Sequence, residues 1–158
     1  MRIIALQGRH NSGKTATLKK LIEIVYTAKD KFQFESVSPK GDVLELCRKR
    51  KGDMQYWCSY NGIKIGITTR GDHWTLLNAD VFTKRRNFSD RDIVICAIRT
   101  SGSTVDFVNK HSTPAPIIYQ KELAPDTDDT KIAEINVAQA KQILDDLIQL
   151  AIKKGAEK

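Results

Sequence analysis

A glycine-containing segment at residues 8–15 constrains this chain more than any other part of its sequence. Its letters, GRHNSGKT, fit the pattern G-x-x-x-x-G-K-[ST] in full. Gly8 and Gly13 open backbone conformations that other residues avoid and leave amide hydrogens uncovered, so such a loop can wrap a phosphate group. At average glycine content the pattern arises by chance in roughly one chain in two hundred of this length, which favours a functional interpretation.

The segments on either side of the loop have the order that the pattern requires. Residues 2–7, RIIALQ, form an apolar run without alternation, which is typical of a strand buried on both faces of a parallel sheet. Residues 15–26 carry Leu18, Leu21, Ile22 and Val25 at helical spacing. The sequence therefore predicts strand, loop and helix, with the positive end of the helix dipole directed at the loop.

Over residues 2–26 the chain resembles the P-loop NTPase superfamily. The resemblance implies that Lys14 is the catalytic residue, a mobile charge for the β and γ phosphates of a nucleoside triphosphate, and that the Thr15 hydroxyl binds Mg²⁺. The predicted nucleotide-binding residues are Gly8, Arg9, His10, Asn11, Ser12, Gly13, Lys14, Thr15, Thr17 and Gly71.

The remaining patterning predicts one α/β domain over residues 1–158, a three-layer α/β/α sandwich with a mostly parallel central sheet. Asn61-Gly62 between two β-prone runs predicts a hairpin. A hairpin ahead of the third strand is similar to the small-GTPase arrangement, in which that strand lies beside the loop-bearing one. The other predicted strands lie at residues 32–37, 92–98 and 116–119. The predicted helices are one at 73–82, a short one that ends at residue 108, and one at 137–153. Residues 122–134 are predicted to be a polar loop, and residues 42–47 a helix or a strand.

An acidic residue near the tip of a neighbouring strand commonly completes the Mg²⁺ site of such a protein. The candidate is Asp72, which follows residues 68–71, TTRG, a tetrad that resembles the DxxG element of GTPases with threonine in the aspartate position. Gly71 would offer its amide to the γ-phosphate. The alternative is that Asp72 caps the helix that follows it, since aspartate is a preferred N-cap.

The sequence gives weaker indications of what else surrounds the nucleotide. The guanine-reading motif N-K-x-D is absent, since residues 109–112 read NKHS, and this favours ATP with GTP as the alternative. Arg99, after the fourth strand, is interpreted either as a nucleotide sensor or as a solvated residue beside an N-cap at Ser101 or Ser103.

The net charge of +7 and the isoelectric point near 9.4 favour an anionic partner. Two basic runs, residues 48–51 and 84–86, contain much of this charge. The second run is interpreted as a lid over the phosphates or as a solvated turn. Either run is also a candidate for contact with an acidic or nucleic-acid partner. The three cysteines are widely spaced, so we expect reduced, buried thiols. No apolar run reaches membrane-spanning length or has the pattern of a secretory signal, so we expect a cytoplasmic protein without a membrane partner.

Three functions are consistent with these features. The leading one is Mg²⁺-dependent hydrolysis of a nucleoside triphosphate. The second is a small-molecule or nucleotide kinase, with residues 84–86 as the lid and residues 32–52 as the acceptor pocket. The third is a nucleotide-gated regulator that binds nucleic acid or a protein through its basic runs.

Overall fold

The protein is described by a computed structural model that covers residues 1–123 and 128–158. Its elements form a six-stranded sheet with helices on both faces. In chain order they are β1 (Arg2–Gln7), α1 (Lys14–Thr27), β2 (Gln33–Ser38), α2 (Val43–Arg48), β3 (Gln55–Tyr60), β4 (Ile63–Thr68), α3 (Trp74–Asn78), a π-helical turn (Ala79–Thr83), β5 (Ile93–Ile98), α4 (Ser103–His111), β6 (Ile117–Gln120) and α5 (Asp129–Glu157).

The sheet is mixed, with strand order β2-β3-β4-β5-β1-β6. The pairs β4–β5, β5–β1 and β1–β6 are parallel, whereas β3 is antiparallel to both of its neighbours. The hairpin strand β4 pairs with β5, so β5 separates it from the loop-bearing strand β1. The prediction of a small-GTPase strand arrangement is therefore wrong, because the periodicity of a strand does not specify its neighbour.

Alternation along the central strands creates two apolar cores, one on each face of the sheet, and confirms a layered α/β class. On one face, Ile4 and Leu6 of β1 pack with the apolar sides of α1, α2 and α5. On the other face, Ile3 and Ala5 pack with residues of α3 and α4. The uninterrupted apolar sequence of β1 is thus explained by burial on both faces.

The hairpin prediction is confirmed. Asn61 and Gly62 connect β3 to β4 with φ values of 48° and 80°, the left-handed pair that a two-residue type I′ turn requires. The turn fixes Tyr60 opposite Ile63, so the register of the two strands follows from it.

Several element boundaries differ from the predictions. Residues 42–47 are largely helical, because the Asp42 carboxylate caps α2 by accepting the amide of Glu45 at 3.0 Å. The polar loop predicted for 122–134 is wrong from Asp129 onward, since α5 begins there, capped by Asp128, and residues 124–127 of that prediction lie outside the described residues. Solvent-exposed first turns removed the apolar periodicity that would have indicated the helix.

The thiols of the three cysteines are free, as expected, with Cys58 and Cys96 buried and Cys47 half-buried. Burial raises the pKa of Cys47 to about 11, so its thiol carries a proton at neutral pH. Within the described ranges, no helix is both long enough and apolar enough to cross a membrane.

Gly66, in β4, is predicted to be intolerant of a side chain. A Cβ at this position would lie 2.5 Å from a carbon of the Phe88 ring, which is fully buried. We expect Gly66→Ala to lower the free energy of unfolding by about 1–3 kcal/mol, because the ring must shift within a packed core. Urea denaturation measures the change.

Gly155→Ala is the matched control, since nothing lies within 4 Å of a Cβ there and alanine is the better helix former. It should leave the stability unchanged or slightly raised. A Gly66→Ala protein as stable as the unmodified chain would contradict the packing described here.

Candidate functional site

The loop at residues 8–15 joins the end of β1 to the start of α1, as the sequence predicts. Two of its residues have left-handed backbone conformations, Asn11 with φ 57° and Gly13 with φ 92°. Gly13 is also the residue before the first helical turn, which starts at Lys14. These two turns wrap the chain around the position toward which the first amides of α1 point.

Lys14 is the most buried cation of the loop, with 5% of its surface exposed. Its Nζ donates to the carbonyl oxygen of Gly8 at 2.6 Å and to that of Ile98, the last residue of β5, at 3.2 Å. Burial lowers the pKa of Lys14 below the ordinary lysine value, and the nearby Asp72 carboxylate opposes that shift. A lysine ammonium has three N–H groups, so one remains for an anion.

Asp72 lies against the loop and does not cap α3. The N-cap of α3 is His73, which makes no side-chain capping bond, so the capping interpretation of Asp72 is wrong. One Asp72 carboxylate oxygen lies 3.6 Å from Lys14 Nζ, and the other lies 3.6 Å from Nδ1 of His10. The sequence thus identified a residue of the site, and the structure adds that it is the counter-ion of Lys14.

The hydroxyl-bearing residues after Lys14 face different partners. Thr15 Oγ1 points toward the carbonyl oxygen of Thr69 at 3.5 Å, which leaves its lone pairs for another ligand. Thr17, a predicted nucleotide-binding residue, is fully buried and donates to the Asn136 side chain of α5 at 3.1 Å. Thr17 therefore acts as a link between α1 and α5 in this structure.

The predicted Mg²⁺ ligands Thr15 and Asp72 border the same pocket. Both offer oxygen, the donor that Mg²⁺ prefers. Within residues 1–123 and 128–158, no group of three or more His, Cys, Asp or Glu side chains could hold a metal ion. The donor set fits a Mg²⁺ ion that takes most of its ligands from phosphate and water, and does not fit an ion held by protein alone.

A pocket of about 520 Å³ opens in front of the loop, and we call it the cationic pocket because six of its lining residues are lysines or arginines. One wall is a single face of α1, on which Thr15, Lys19 and Glu23 recur at i, i+4 and i+8. The opposite wall is the end of α2 and the basic run after it. The lining residues are Asn11, Ser12, Gly13, Lys14, Thr15, Ala16, Lys19, Lys20, Glu23, Cys47, Arg48, Lys49, Arg50 and Asp72.

A second pocket, of about 300 Å³, borders the loop at residues 11–13. We call it the apolar pocket, because Leu123, Ile132 and Ile135 form much of its lining. Leu123 and Ile132 keep 55% and 36% of their surface exposed, so both are accessible to a ligand in this pocket. The pocket is also lined by Asn11, Ser12, Gly13, Lys121, Glu122 and Asn136, so the two pockets meet at residues 11–13.

Gly71 has a packing role that the sequence did not reveal. A Cβ at this position would lie 1.7 Å from the carbonyl oxygen of Ala97, so the chain after β4 passes directly against the backbone of β5. The predicted contact of the Gly71 amide with a γ-phosphate stays a prediction. The steric reason alone requires glycine here.

The basic run at residues 84–86 does not line either pocket beside the loop. Lys84 Nζ lies 2.7 Å from the buried carboxylate of Asp80, which also accepts the Thr68 hydroxyl at 2.8 Å. Arg86 lies over the Trp57 ring, 5.2 Å from its centroid. These contacts give two of the three cations structural partners, one on the π-helical turn and one on β3, which argues against a lid.

Arg99 lies near the loop, since its charge is one of the causes that lower the pKa of Lys14. Its amide is bonded to the Thr104 hydroxyl, and its carbonyl oxygen accepts from Gln7 of β1. The N-cap of α4 is Gly102, so the expected cap at Ser101 or Ser103 is wrong. The NKH triplet at residues 109–111 forms the last turn of α4, which explains why it does not complete a base-reading motif.

Comparisons with known proteins gave no match: no protein-family model, no curated protein and no solved structure matches the chain. The function must therefore be inferred from the loop and from the two pockets beside it.

Sequence reasoning missed residues that reach the site from other elements. Lys19 was detectable, because it lies one helical turn after Thr15 and so shares its face. Ile132, Ile135 and Asn136 were not, because the segment containing them was expected to be a loop. The exposed first turns of α5 carry too little apolar periodicity to have indicated them.

Asp72→Asn is expected to lower the pKa of Lys14 further. The carboxylate raises that pKa against the opposing effect of burial, and asparagine keeps the shape without the charge. A titration of lysine ¹³Cε chemical shifts in selectively labelled protein measures the change. Asp42→Asn, which removes the same charge at the exposed cap of α2, is the control and should leave Lys14 unaffected. An unchanged Lys14 pKa in Asp72→Asn would contradict the contact.

Proposed function

We propose that the protein is a P-loop NTPase in fold and activity, binding a nucleoside triphosphate on residues 8–15 and hydrolysing it with Mg²⁺. ATP is the proposed substrate and GTP the alternative, since no guanine-reading motif is present. A cytoplasmic location goes with this proposal.

One observation supports a nucleotide in particular, as opposed to free phosphate. The cationic and apolar pockets meet at residues 11–13 of the loop, which line both of them. A nucleotide has the same division, with a polyanion at one end and a flat, weakly polar base at the other. A ligand that crosses the loop could place its phosphates against Lys14 and its base against Leu123 and Ile132.

The residues of the loop have chemistry suited to the phosphates. The first amides of α1 point into the loop and favour a negative charge. The remaining N–H of Lys14 could bond a phosphate oxygen in the place where Asp72 now provides the counter-charge. Thr15 and Asp72 would hold Mg²⁺, which when bound neutralises charge on the phosphate oxygens.

In the proposed reaction, a water oxygen attacks the γ-phosphorus and the bond between that phosphorus and the bridging β–γ oxygen breaks. The products are a nucleoside diphosphate and inorganic phosphate. Lys14 would stabilise the negative charge that grows on the departing oxygen, through a hydrogen bond that strengthens as the bond breaks. Exclusion from solvent makes this contribution larger than an exposed lysine could give.

The kinase alternative is favoured by the cationic pocket, because that pocket continues along α1 past the loop. The predicted acceptor segment, residues 32–52, contributes Cys47, Arg48, Lys49 and Arg50 to it. The predicted lid at residues 84–86 does not contribute to it. Hydrolysis stays the leading proposal, because the two carboxylates among the described residues that line this pocket, Glu23 and Asp72, already face Lys20 and Lys14 and are less available as a base for an acceptor hydroxyl.

Lys14→Ala should weaken nucleotide binding by about 10- to 100-fold, the loss expected for a charge-assisted hydrogen bond of about 1.5–3 kcal/mol. Isothermal titration with Mg-ATP and Mg-GTP measures the affinity, and release of inorganic phosphate measures turnover, which should become undetectable. Lys31→Ala, an exposed lysine outside both pockets, removes the same charge and should change neither quantity. If the unmodified protein binds neither nucleotide, the proposed function fails.

Ile132→Asn tests the place of the base. It should weaken ATP about tenfold, because part of an aliphatic contact surface is lost, and leave the affinity for tripolyphosphate unchanged. Ile152→Asn is the matched control, since Ile152 is an exposed isoleucine on the same helix and lines neither pocket. Equal losses for ATP and tripolyphosphate would count against a base in the apolar pocket.

A further inference from the structure

The cationic pocket is longer than a phosphate loop requires. Its α1 wall runs from Lys14 to Glu23, nine residues along the helix. At about 1.5 Å per residue this distance is about 13 Å. The loop and the first turn of α1 account for one end of the pocket, and a second ligand has room at the other end, between Lys19 and Arg48.

The charge of the far end is strongly positive. Lys20 is paired with Glu23 at 3.2 Å. In contrast, no ion pair within the described ranges involves Lys19, Arg48, Lys49 or Arg50, although all four line the pocket. The Asp53 carboxylate opposes the mutual repulsion of these cations at Lys19, where it raises the pKa, but within the described residues it forms no ion pair with any of the four, so a bound anion would relieve the repulsion that remains.

Lys19 shows that this arrangement is built into the fold. It keeps only 4% of its surface exposed, and its Nζ donates to the carbonyl oxygen of Lys49 at 2.9 Å. Burial lowers its pKa below the ordinary lysine value. The bond ties α1 to the basic run and holds Arg48 and Arg50 at the pocket rim, with two ammonium hydrogens left for a ligand.

We propose that the far end of the cationic pocket binds a phosphorylated small molecule while a nucleotide occupies the loop. This inference rests on the proposed function, because it takes the ligand in the loop to be a nucleotide. Lys19, Arg48 and Arg50 bind the phosphate group of the second ligand. Arginine and lysine together suit a phosphate, because the guanidinium bonds two oxygens at once and the ammonium adds a third donor.

The lining favours a compact anion over a nucleic acid. Single-stranded nucleic acids are bound on aromatic side chains that stack with successive bases, and none of the described residues that line the pocket is aromatic. The second ligand would share the pocket of about 520 Å³ with the triphosphate, and concave pockets of this kind bind small ligands.

The test is a calorimetric titration of inorganic phosphate, which serves as the probe. The protein is first saturated with Mg²⁺ and a non-hydrolysable ATP analogue. We expect a phosphate to bind beside the analogue. Arg48→Ala and Arg50→Ala should each weaken this binding about tenfold, the loss of one charge-assisted bond. Lys51→Ala is the matched control, since Lys51 continues the same run but does not line the pocket, and it should have an effect under about twofold.

Repeating the phosphate titration on Lys14→Ala without nucleotide separates this inference from the proposed function. Binding that is retained there and lost in the Lys14→Ala, Arg50→Ala double variant supports the second site, even if no nucleotide binds the loop. The inference is overturned if phosphate binds neither the protein saturated with the ATP analogue nor the nucleotide-free Lys14→Ala protein. It is also overturned if Arg50→Ala and Lys51→Ala lose equal amounts of phosphate affinity. Tighter binding of a single-stranded oligonucleotide than of phosphate, lost in Arg48→Ala, also overturns it.

Discussion

The buried ammonium of Lys14 is the interaction on which the geometry of the site depends. It bonds the carbonyl oxygens of Gly8 and Ile98, which belong to the loop and to the end of β5, and it faces the carboxylate of Asp72. A cation with so little exposure needs these partners, because a buried charge is costly unless it is paired or hydrogen-bonded. One side chain thus sets the position of the loop relative to the strand ends around it.

The order of the strands explains how Asp72 reaches this lysine. The strand before Asp72, β4, is separated from β1 by β5. The chain leaving β4 must therefore cross the end of β5, and it does so at Gly71, which packs directly on the carbonyl oxygen of Ala97. Any side chain there would force the crossing segment away from the sheet, and with it the counter-ion of Lys14.

Much of this fold could be predicted from local patterns, because those patterns are caused by local physics. The apolar β1, the amphipathic α1 and the Asn61-Gly62 turn each follow from burial or from backbone preference. The place of β5 between β1 and β4 could not be predicted in this way, since an apolar run indicates that a strand is buried and not which strand lies beside it. Strand order depends on packing between distant residues, which a single sequence does not record.

The candidate site was likewise predictable where its residues follow a local sequence pattern, and not where they come from distant parts of the chain. The loop was predicted because phosphate binding calls for glycines, a lysine and a hydroxyl at fixed spacing, and Asp72 was predicted because it follows the tip of a neighbouring strand. Ile132 was missed because α5 begins with exposed turns of mostly polar residues, and Lys19 because a lysine on a helix is usually solvated. The two alternatives for residues 84–86, a lid or a solvated turn, did not allow for the buried Asp80, whose carboxylate lies 2.7 Å from Lys84 Nζ.

The most direct test of the central proposal is a map of backbone amide chemical shifts on addition of Mg-ATP to ¹⁵N-labelled protein. If the triphosphate lies in the loop, the largest shifts belong to residues 8–15, with Gly13, Lys14 and Thr15 moving downfield as their amides bond phosphate oxygens. Smaller shifts should appear at Leu123 and Ile132. Shifts confined to residues outside the loop, or none at saturating nucleotide, would contradict the account.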